Sequence, residues 1–426
     1  MRPTASSRNL LFAAVAGAWC LAALAQTQTA APGASVESLI ALARDRNPEY
    51  AGMRYEADAA AERGEPAGAL PDPKFRAELR DITRMGEQNA SLLPGRVGST
   101  RYLLMQDVPW FGKRDLKREL AELEAESARG RAVGGWADIA ARIKTIHAQR
   151  WYLRRNERLA GEILDLLTRL EKIAHARYAN GLTAQQDVIR AQVEQTAMRN
   201  ELLMLETEQH HLHMRLNALL ARPAQAPLAD AEQLRPLPAP AKLDYATLEE
   251  RVRTRNPSLS VEGMRVKAAE KSRELAYRNR YPDFTFGVSP IQYGSAIKEW
   301  ELMIELNIPL QQSARRSQER EAEALLSAAQ ARSTALANQV LSDLAENLAS
   351  LDTARRTEAL ASDSFLPQAE LTFQAALAGY ENGKVDFATL LDAQRQVRQA
   401  RQNQIKAQAE GQARLAEIER LLGEDL

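Results

Sequence analysis

Cysteine occurs once in the 426 residues, at Cys20. A single thiol cannot form an internal disulfide, and thiolate metal sites draw on two or more cysteines. Aromatic residues make up only 5% of the chain, while Ala, Leu, Glu, Gln and Arg abound, a balance that favours long helices. Neither sign of charge prevails: 56 lysines and arginines face 56 aspartates and glutamates. No net field therefore draws the chain to nucleic acid or to an anionic surface. Proline is missing from Trp110 to Arg222, and no segment after the N-terminus is apolar enough for a transmembrane helix. Motifs of chemistry are missing too. FGKRD at Phe111 lacks the first glycine and the hydroxyl of a phosphate-binding loop, and neither G-x-S-x-G nor H-E-x-x-H occurs. These absences speak against an enzyme and against a bound cofactor.

What is present begins with an export signal. Arg2 and Arg8 precede an apolar stretch from Leu10 to Ala25, which closes on Ala23-Leu24-Ala25. That order of charge, apolar run and small residues marks residues 1–25 as a signal peptide. Cys20 would leave with it, and Trp19 is too large for the position before a lipid-bearing cysteine.

The remainder is duplicated. RNPEY at Arg46 returns as RNPSL at Arg255, and Pro73 returns as Pro282, each 209 positions later. Pro109 returns as Pro309, and YANG at Tyr178 returns as YENG at Tyr380. Landmarks in one order and nearly one register indicate an internal repeat. Residues 26–222 form the first copy, the Pro-rich segment 223–243 a linker, and residues 244–426 the second copy.

Each copy predicts a helix after the Asn-Pro pair, two short strands, and a long helical hairpin. Leu159, Ile163, Leu166, Leu170 and Ile173 step by fours and threes, a coiled-coil seam. Leu212, Leu216 and Leu219 continue such a seam, and Leu341, Leu344, Leu348 and Leu351 repeat it, with a kink expected at Pro367. A helix from Lys113 to Ala179 would run about 100 Å. Asn180-Gly181 and Asn382-Gly383 supply the positive φ that ends a helix, so each marks a hairpin tip. Asp187 and Asp386 lie near the start of the returning helices, where a carboxylate favours the dipole.

The strand runs alternate. Phe75, Ala77 and Leu79 oppose Arg76, Glu78 and Arg80; Trp300, Leu302, Ile304, Leu306 and Ile308 oppose Glu301, Met303, Glu305 and Asn307. DFTFGVS at Asp283 and RYLLMQDVP at Arg101 complete four strands, with residues 83–99 and 291–298 as connecting loops and Asp72 and Asp283 as turn formers. Such alternation suits a soluble sheet or a membrane barrel with its apolar side outward. Four strands cannot close a barrel, and lipid tolerates no open edge, so a barrel requires two or three copies of the chain.

These parts together resemble the TolC-type outer membrane factors, or outer membrane efflux proteins, the exit ducts of tripartite pumps and type I secretion systems. The resemblance runs through the Asn-Pro openings, MQDVPWFGKR, YANGLTAQQDVIRAQ, RLNALLARP and GYENGKVDFATLLDAQ. QDVPWFGKR and LNALLARPAQAPL are most similar to the heavy-metal efflux branch of Cus and Czc type. The resemblance implies a mostly helical fold with four strands per chain, closing in a homotrimer as a twelve-strand barrel in the outer membrane of a Gram-negative bacterium. A helical tunnel would cross the periplasm below it. The implied partners are a periplasmic adaptor and an inner-membrane pump of the RND type. It also implies that the tips form the periplasmic entrance and meet the adaptor at Tyr178, Asn180, Gly181, Asn382 and Gly383. In the family an acidic ring narrows the entrance; Asp392 matches one of its positions and Thr389 replaces the other. A tyrosine and an arginine there lock against an aspartate. Tyr380 and Asp187 match, while Val385 stands at the arginine's place beside Lys384.

His210, His211, His213 and Met214 offer ligands for copper, yet they read more simply as a surface cluster beside the linker. The same duct could serve drugs or a secreted polypeptide. A periplasmic coiled-coil adaptor is a further alternative, although such a protein would carry one hairpin rather than two.

Overall fold

Asn47 ends one helix and begins the next. The structure, a computed structural model, describes residues 32–426 except Gln88; the export signal read at residues 1–25 lies outside them. The first helix, α1 (Val36–Arg46), stops at Asn47, whose side chain accepts from Tyr50 N–H at 2.9 Å and caps α2 (Pro48–Ala61). Proline fits the first turn of a helix because the N–H it lacks would be unpaired there. The Asn47 amide also donates to the Leu219 carbonyl at 2.8 Å, 172 positions away. The second copy repeats the device. Asn256 separates α6 (Tyr245–Arg255) from α7 (Pro257–Arg278), accepts from Leu259 N–H at 2.9 Å, and donates to the Leu421 carbonyl at 2.7 Å. Each Asn-Pro pair thus starts a helix and ties it to the far end of its own hairpin.

Between these helices and the hairpins lie α3 (Gly64–Gly68) and the strands β1 (Lys74–Arg80), β2 (Ser99–Val108), β3 (Asp283–Tyr293) and β4 (Ala296–Asn307). The hairpins are α4 (Lys113–Ala179) with α5 (Gln185–Leu219), and α8 (Gln312–Leu360) and α9 (Leu366–Glu381) with α10 (Phe387–Leu422). With 67 residues, α4 is about 100 Å long at 1.5 Å per residue. A π-helical turn, Ala361–Phe365, joins α8 to α9 where Pro367 removes an N–H donor, so the regular helix is interrupted where proline predicts a kink.

α4 packs against α5 and α10 towards the tips and against α2, α3 and α7 towards the sheet. Two flanks on one helix widen its apolar face beyond a simple seam. Leu159, Ile163 and Leu170 are buried as expected, and Leu166 and Ile173 pack at the edge of the same core. Leu167, off the expected seam, is fully buried among them. Further cores sit nearer the middle of the hairpins, one around Leu39, Ile143 and Leu216, another around Leu248, Leu344 and Ile418.

The Pro-rich linker passes across these helices with its carbonyls satisfied by side chains. Arg150 donates to the Ala229 carbonyl at 2.9 Å, Trp151 to that of Glu232 at 3.2 Å, and Gln412 to that of Arg235 at 2.6 Å. Beside it lies a buried charge group that the sequence pattern did not disclose. Lys144 of α4 meets Glu419 of α10 at 2.6 Å, and Arg235 meets the same carboxylate at 2.8 Å.

The four strands form one antiparallel sheet in chain order, with β1 and β4 at its edges. Phe75, Leu104, Val288 and Leu302 fall in one row across it. On that face Trp300 is 70% exposed and Leu302 86%. The opposite face carries ions, among them Arg101 and Glu301 at 2.6 Å. Residues 291–298 are not a loop. β3 runs on through Tyr293 and returns after Gly294-Ser295, with Gly294 at φ +61°. Pro290 does not end the strand, because the β2–β3 ladder skips the positions opposite it. Asp283 does more than form a turn: it accepts from Trp110 N–H and pairs with the buried Lys113, both at 2.8 Å. No helix among the described residues is long and apolar enough to cross a membrane.

Candidate functional site

The two hairpin tips share one backbone design. Gly181 and Gly383 take φ of +69° and +70°, and the next N–H closes back on the helix: Leu182 to the Arg177 carbonyl at 2.9 Å, Lys384 to that of Gly379 at 2.8 Å. This is the Schellman closure that a left-handed residue permits. The two asparagines complete it. Asn180 donates to the Ala176 carbonyl at 2.8 Å and Asn382 to that of Ala378 at 2.7 Å, so each amide satisfies a carbonyl of the last turn.

The returning helices start differently. Asp386 caps α10 by accepting from Thr389 N–H at 2.9 Å, and this contact with Thr389 holds its carboxyl below the usual range. Thr389 is thereby a capping partner. Ala184 gives α5 no side-chain cap; the buried Asp187, one turn in, accepts from the Thr183 hydroxyl instead.

The tyrosines also part ways. Tyr178 is 44% exposed, whereas Tyr380 is 2% exposed and packs on Phe387 with ring centroids 5.3 Å apart. Over the Tyr380 ring, 5.1 Å from its centre, lies the guanidinium of Arg177, which also donates to the Glu381 carbonyl at 2.7 Å. Arg177 belongs to the first hairpin and Tyr380 to the second, so this contact joins the tips. Burial raises the phenol's pKa against an opposing contact with Thr183, and its hydroxyl makes no hydrogen bond of good geometry among the described residues. Val385, by contrast, packs closely over Gly379. The sequence offered a signal for Arg177: it precedes Tyr178, where the second tip has Gly379 before Tyr380. An arginine expected only at position 385 hides that signal.

Asp392 is exposed and lies apart from this cluster. It pairs with Arg395 at 3.2 Å, and Arg395 also reaches Glu194 of α5. Together with Arg398 and Glu201 at 3.5 Å, these pairs span from α10 to α5. Ile189, Val193 and Leu391 line the cleft of about 330 Å³ between them. Lys384 stays exposed at the second tip, its backbone serving the closure.

Away from the tips, His213 meets the Ala226 carbonyl at 2.6 Å and His211 lies near Glu208. His210 and His213 line a cleft with Arg150, Arg154 and Arg199. No group of three or more His, Cys, Asp or Glu among the described residues could hold a metal ion.

Residues 248–424 match the sequence model of the outer membrane efflux protein family. The chain is 24% identical over 400 residues to the cobalt-zinc-cadmium resistance protein CzcC of Cupriavidus metallidurans, covering 91% of this chain and 90% of that one. Among solved structures, CusC superposes with a TM-score of 0.79 at 15% identity, over 94% of this chain and 96% of its own. The outer membrane protein VceC from Vibrio cholerae gives 0.77 at 18% identity, over 92% and 96%. In sequence the second repeat thus matches the outer membrane efflux proteins, and the whole described chain has the fold of CusC and VceC.

Proposed function

We propose that this protein is the exit duct of a tripartite pump for heavy-metal cations. One observation carries the reading: the similarity to CzcC, a cobalt-zinc-cadmium resistance protein, runs along nine-tenths of both chains. Growth of a deletion strain on copper, silver, zinc, cobalt, cadmium and several antibiotics tests it. Selective sensitivity to metals is expected; sensitivity to antibiotics alone would transfer the duct to drug efflux. The histidine cluster has no ligand role in this reading, since His213 is held by a backbone carbonyl. Replacing His210, His211 and His213 together with alanine should leave metal resistance unchanged, and sensitivity in a strain with normal protein levels would refute that.

The working unit is a homotrimer. The sheet has two open edges, β1 and β4, and an apolar face that suits lipid. Three copies give twelve strands and no edge. The hairpins then form a tunnel whose periplasmic entrance lies at the tips. Tyr178, Asn180, Gly181, Asn382 and Gly383 meet the periplasmic adaptor, and the RND pump supplies the energy. Asp187, Tyr380, Lys384, Thr389 and Asp392 surround the entrance, with Arg177 added to them.

Open space surrounds Gly181, and a Cβ on Gly383 would meet only Arg177 Nη2, at 3.4 Å. Leucine at either site is therefore opposed mainly by backbone strain, about 1–2 kcal/mol in the left-handed region. Gly181→Leu and Gly383→Leu should impair efflux several-fold while trimers persist on a native gel. Dispersed trimers would give these glycines a role in folding instead of docking.

A further inference from the structure

The apolar face of the sheet ends, on the side of the helices, in a row of Val108, Phe284 and Leu306. Just past that row aromatic rings collect. Trp110 stacks on Phe284 with centroids 5.7 Å apart and on Tyr281 at 5.1 Å, and Phe111 meets it edge-on at 5.8 Å. Phe111 and Tyr281 are exposed, so the group borders solvent. Tryptophan and tyrosine join an apolar body to a polar tip and suit the boundary between hydrocarbon and water.

Charge sorts itself at the same level. Residues 113–118, 273–281 and 312–320, at the ends of α4, α7 and α8 nearest the sheet, hold ten lysines and arginines against Asp115, Glu274 and Glu319, in a chain whose charges balance. The next turns invert the sign, with Glu119, Glu122, Glu124 and Glu126 in α4 and Glu321 and Glu323 in α8. Cations at the starts of α4 and α8 oppose the helix dipole, which favours acids there. Lys113 and Arg280 are taken up by Asp283 and Glu319. Lys117, Arg118 and Arg316 are exposed and have no carboxylate partner among the described residues. All three border the apolar face. Lys117 stands one turn from Lys113, which donates to the Tyr281 carbonyl at 2.9 Å. Arg118 lies against Gly68, three positions before Pro71, whose carbonyl accepts from Gln106 of that face at 2.7 Å. Arg316 follows the exposed Ile308 and Leu310, which carry the face towards α8.

We propose that this band binds the phosphates of anionic phospholipids. The rings lie at headgroup level, the apolar face reaches into hydrocarbon on one side of them, and Lys117, Arg118 and Arg316 meet the phosphates on the other. The inference rests on the proposed function in one respect, that the apolar face meets lipid; the exported cargo does not enter it.

Titrating the detergent-purified full chain with phosphatidylglycerol or phosphatidylcholine, each brominated in the acyl chain near the glycerol, tests the band. Bromine quenches a tryptophan that it touches, and Trp110→Phe identifies the share of Trp110. Each basic group beside an anionic headgroup layer is worth about fivefold in binding, so quenching of Trp110 should need at least about tenfold less phosphatidylglycerol than phosphatidylcholine. Lys117→Gln, Arg118→Gln and Arg316→Gln together should remove that preference. Arg199→Gln, Arg332→Gln and Arg356→Gln, at exposed positions away from the sheet, should keep it. Equal quenching by the two lipids, or a preference that survives in the band variant, would overturn the proposal. Inorganic phosphate displacing the lipid at equal concentration would overturn it too, by making free phosphate the ligand. If the triple variant fails to assemble, the single variants decide, and each should lower the preference severalfold. A chain that stays soluble without detergent would refute the membrane reading itself, whereas a detergent-requiring chain indifferent to headgroup would refute this inference alone.

Discussion

Glu419→Gln should lower the unfolding free energy by about 3–5 kcal/mol, the cost of removing one partner from a buried ion pair. The Glu419 side chain is 2% exposed and that of Lys144 6%, at 2.6 Å from each other. Arg235 reaches the same carboxylate, and Leu426 N–H donates to its other oxygen at 3.2 Å. Glutamine keeps the shape and removes the charge, leaving Arg235 without its anion and Lys144 with only the exposed carboxylate of Asp425. Against a typical total of 5–15 kcal/mol, that loss is large. An exposed pair is the control: Arg356 and Asp352, 80% and 57% exposed, should yield under about 1 kcal/mol on Asp352→Asn. Denaturant unfolding of the purified protein, followed by helical circular dichroism, separates the two. Equal midpoints for Glu419→Gln and wild type would mean that water and the existing Lys144–Asp425 pair replace the lost charge. Combining Lys144→Met with Glu419→Leu should recover much of the loss, because a matched apolar pair leaves fewer buried charges unpaired.

The charge group shows where the sequence ceased to be legible. Local signals named the elements: Asn-Pro for helix starts, Asn-Gly for tips, Pro367 for the helix interruption, alternation for strands. Each depends on neighbours within a few positions. Lys144 and Glu419 are 275 positions apart, and in a one-dimensional reading either is one of many helix-surface charges. The strand ends failed for a related reason. Proline at 290 and Gly294 signal a loop, yet a gap in the β2–β3 ladder accommodates the first and a two-residue turn absorbs the second. Duplication was a guide with a limit. It predicted matching tips, and the backbone closures do match, but the two tips divide their side-chain chemistry. Asp386 caps one returning helix while Asp187 is buried in the other, and Tyr380 is covered while Tyr178 is not.

That division leads to the proposed entrance. Arg177→Ala should raise the channel's open probability at least about 30-fold in planar bilayers. A cation over an aromatic ring contributes about 0.5–2 kcal/mol and a charged hydrogen bond to a carbonyl about 1.5–3, and 1.4 kcal/mol is a factor of ten. Both contacts run from the first hairpin to the second, so both oppose separation of the tips. Arg177→Lys should lie between, since an ammonium keeps the charge over the ring but loses the planar fork. The two tyrosine replacements make the sharper comparison. In a lock built on the phenol hydroxyl, Tyr380→Phe would open the channel. Here the hydroxyl is buried without a well-formed hydrogen bond while the ring carries Arg177 and Phe387, so Tyr380→Phe should leave conductance unchanged or hold the tips more tightly. Tyr380→Leu, which removes the aromatic face, should open the channel as Arg177→Ala does. An opening by phenylalanine equal to that by leucine would return the lock to the hydroxyl, with Thr183 and Asp187 as its natural receivers.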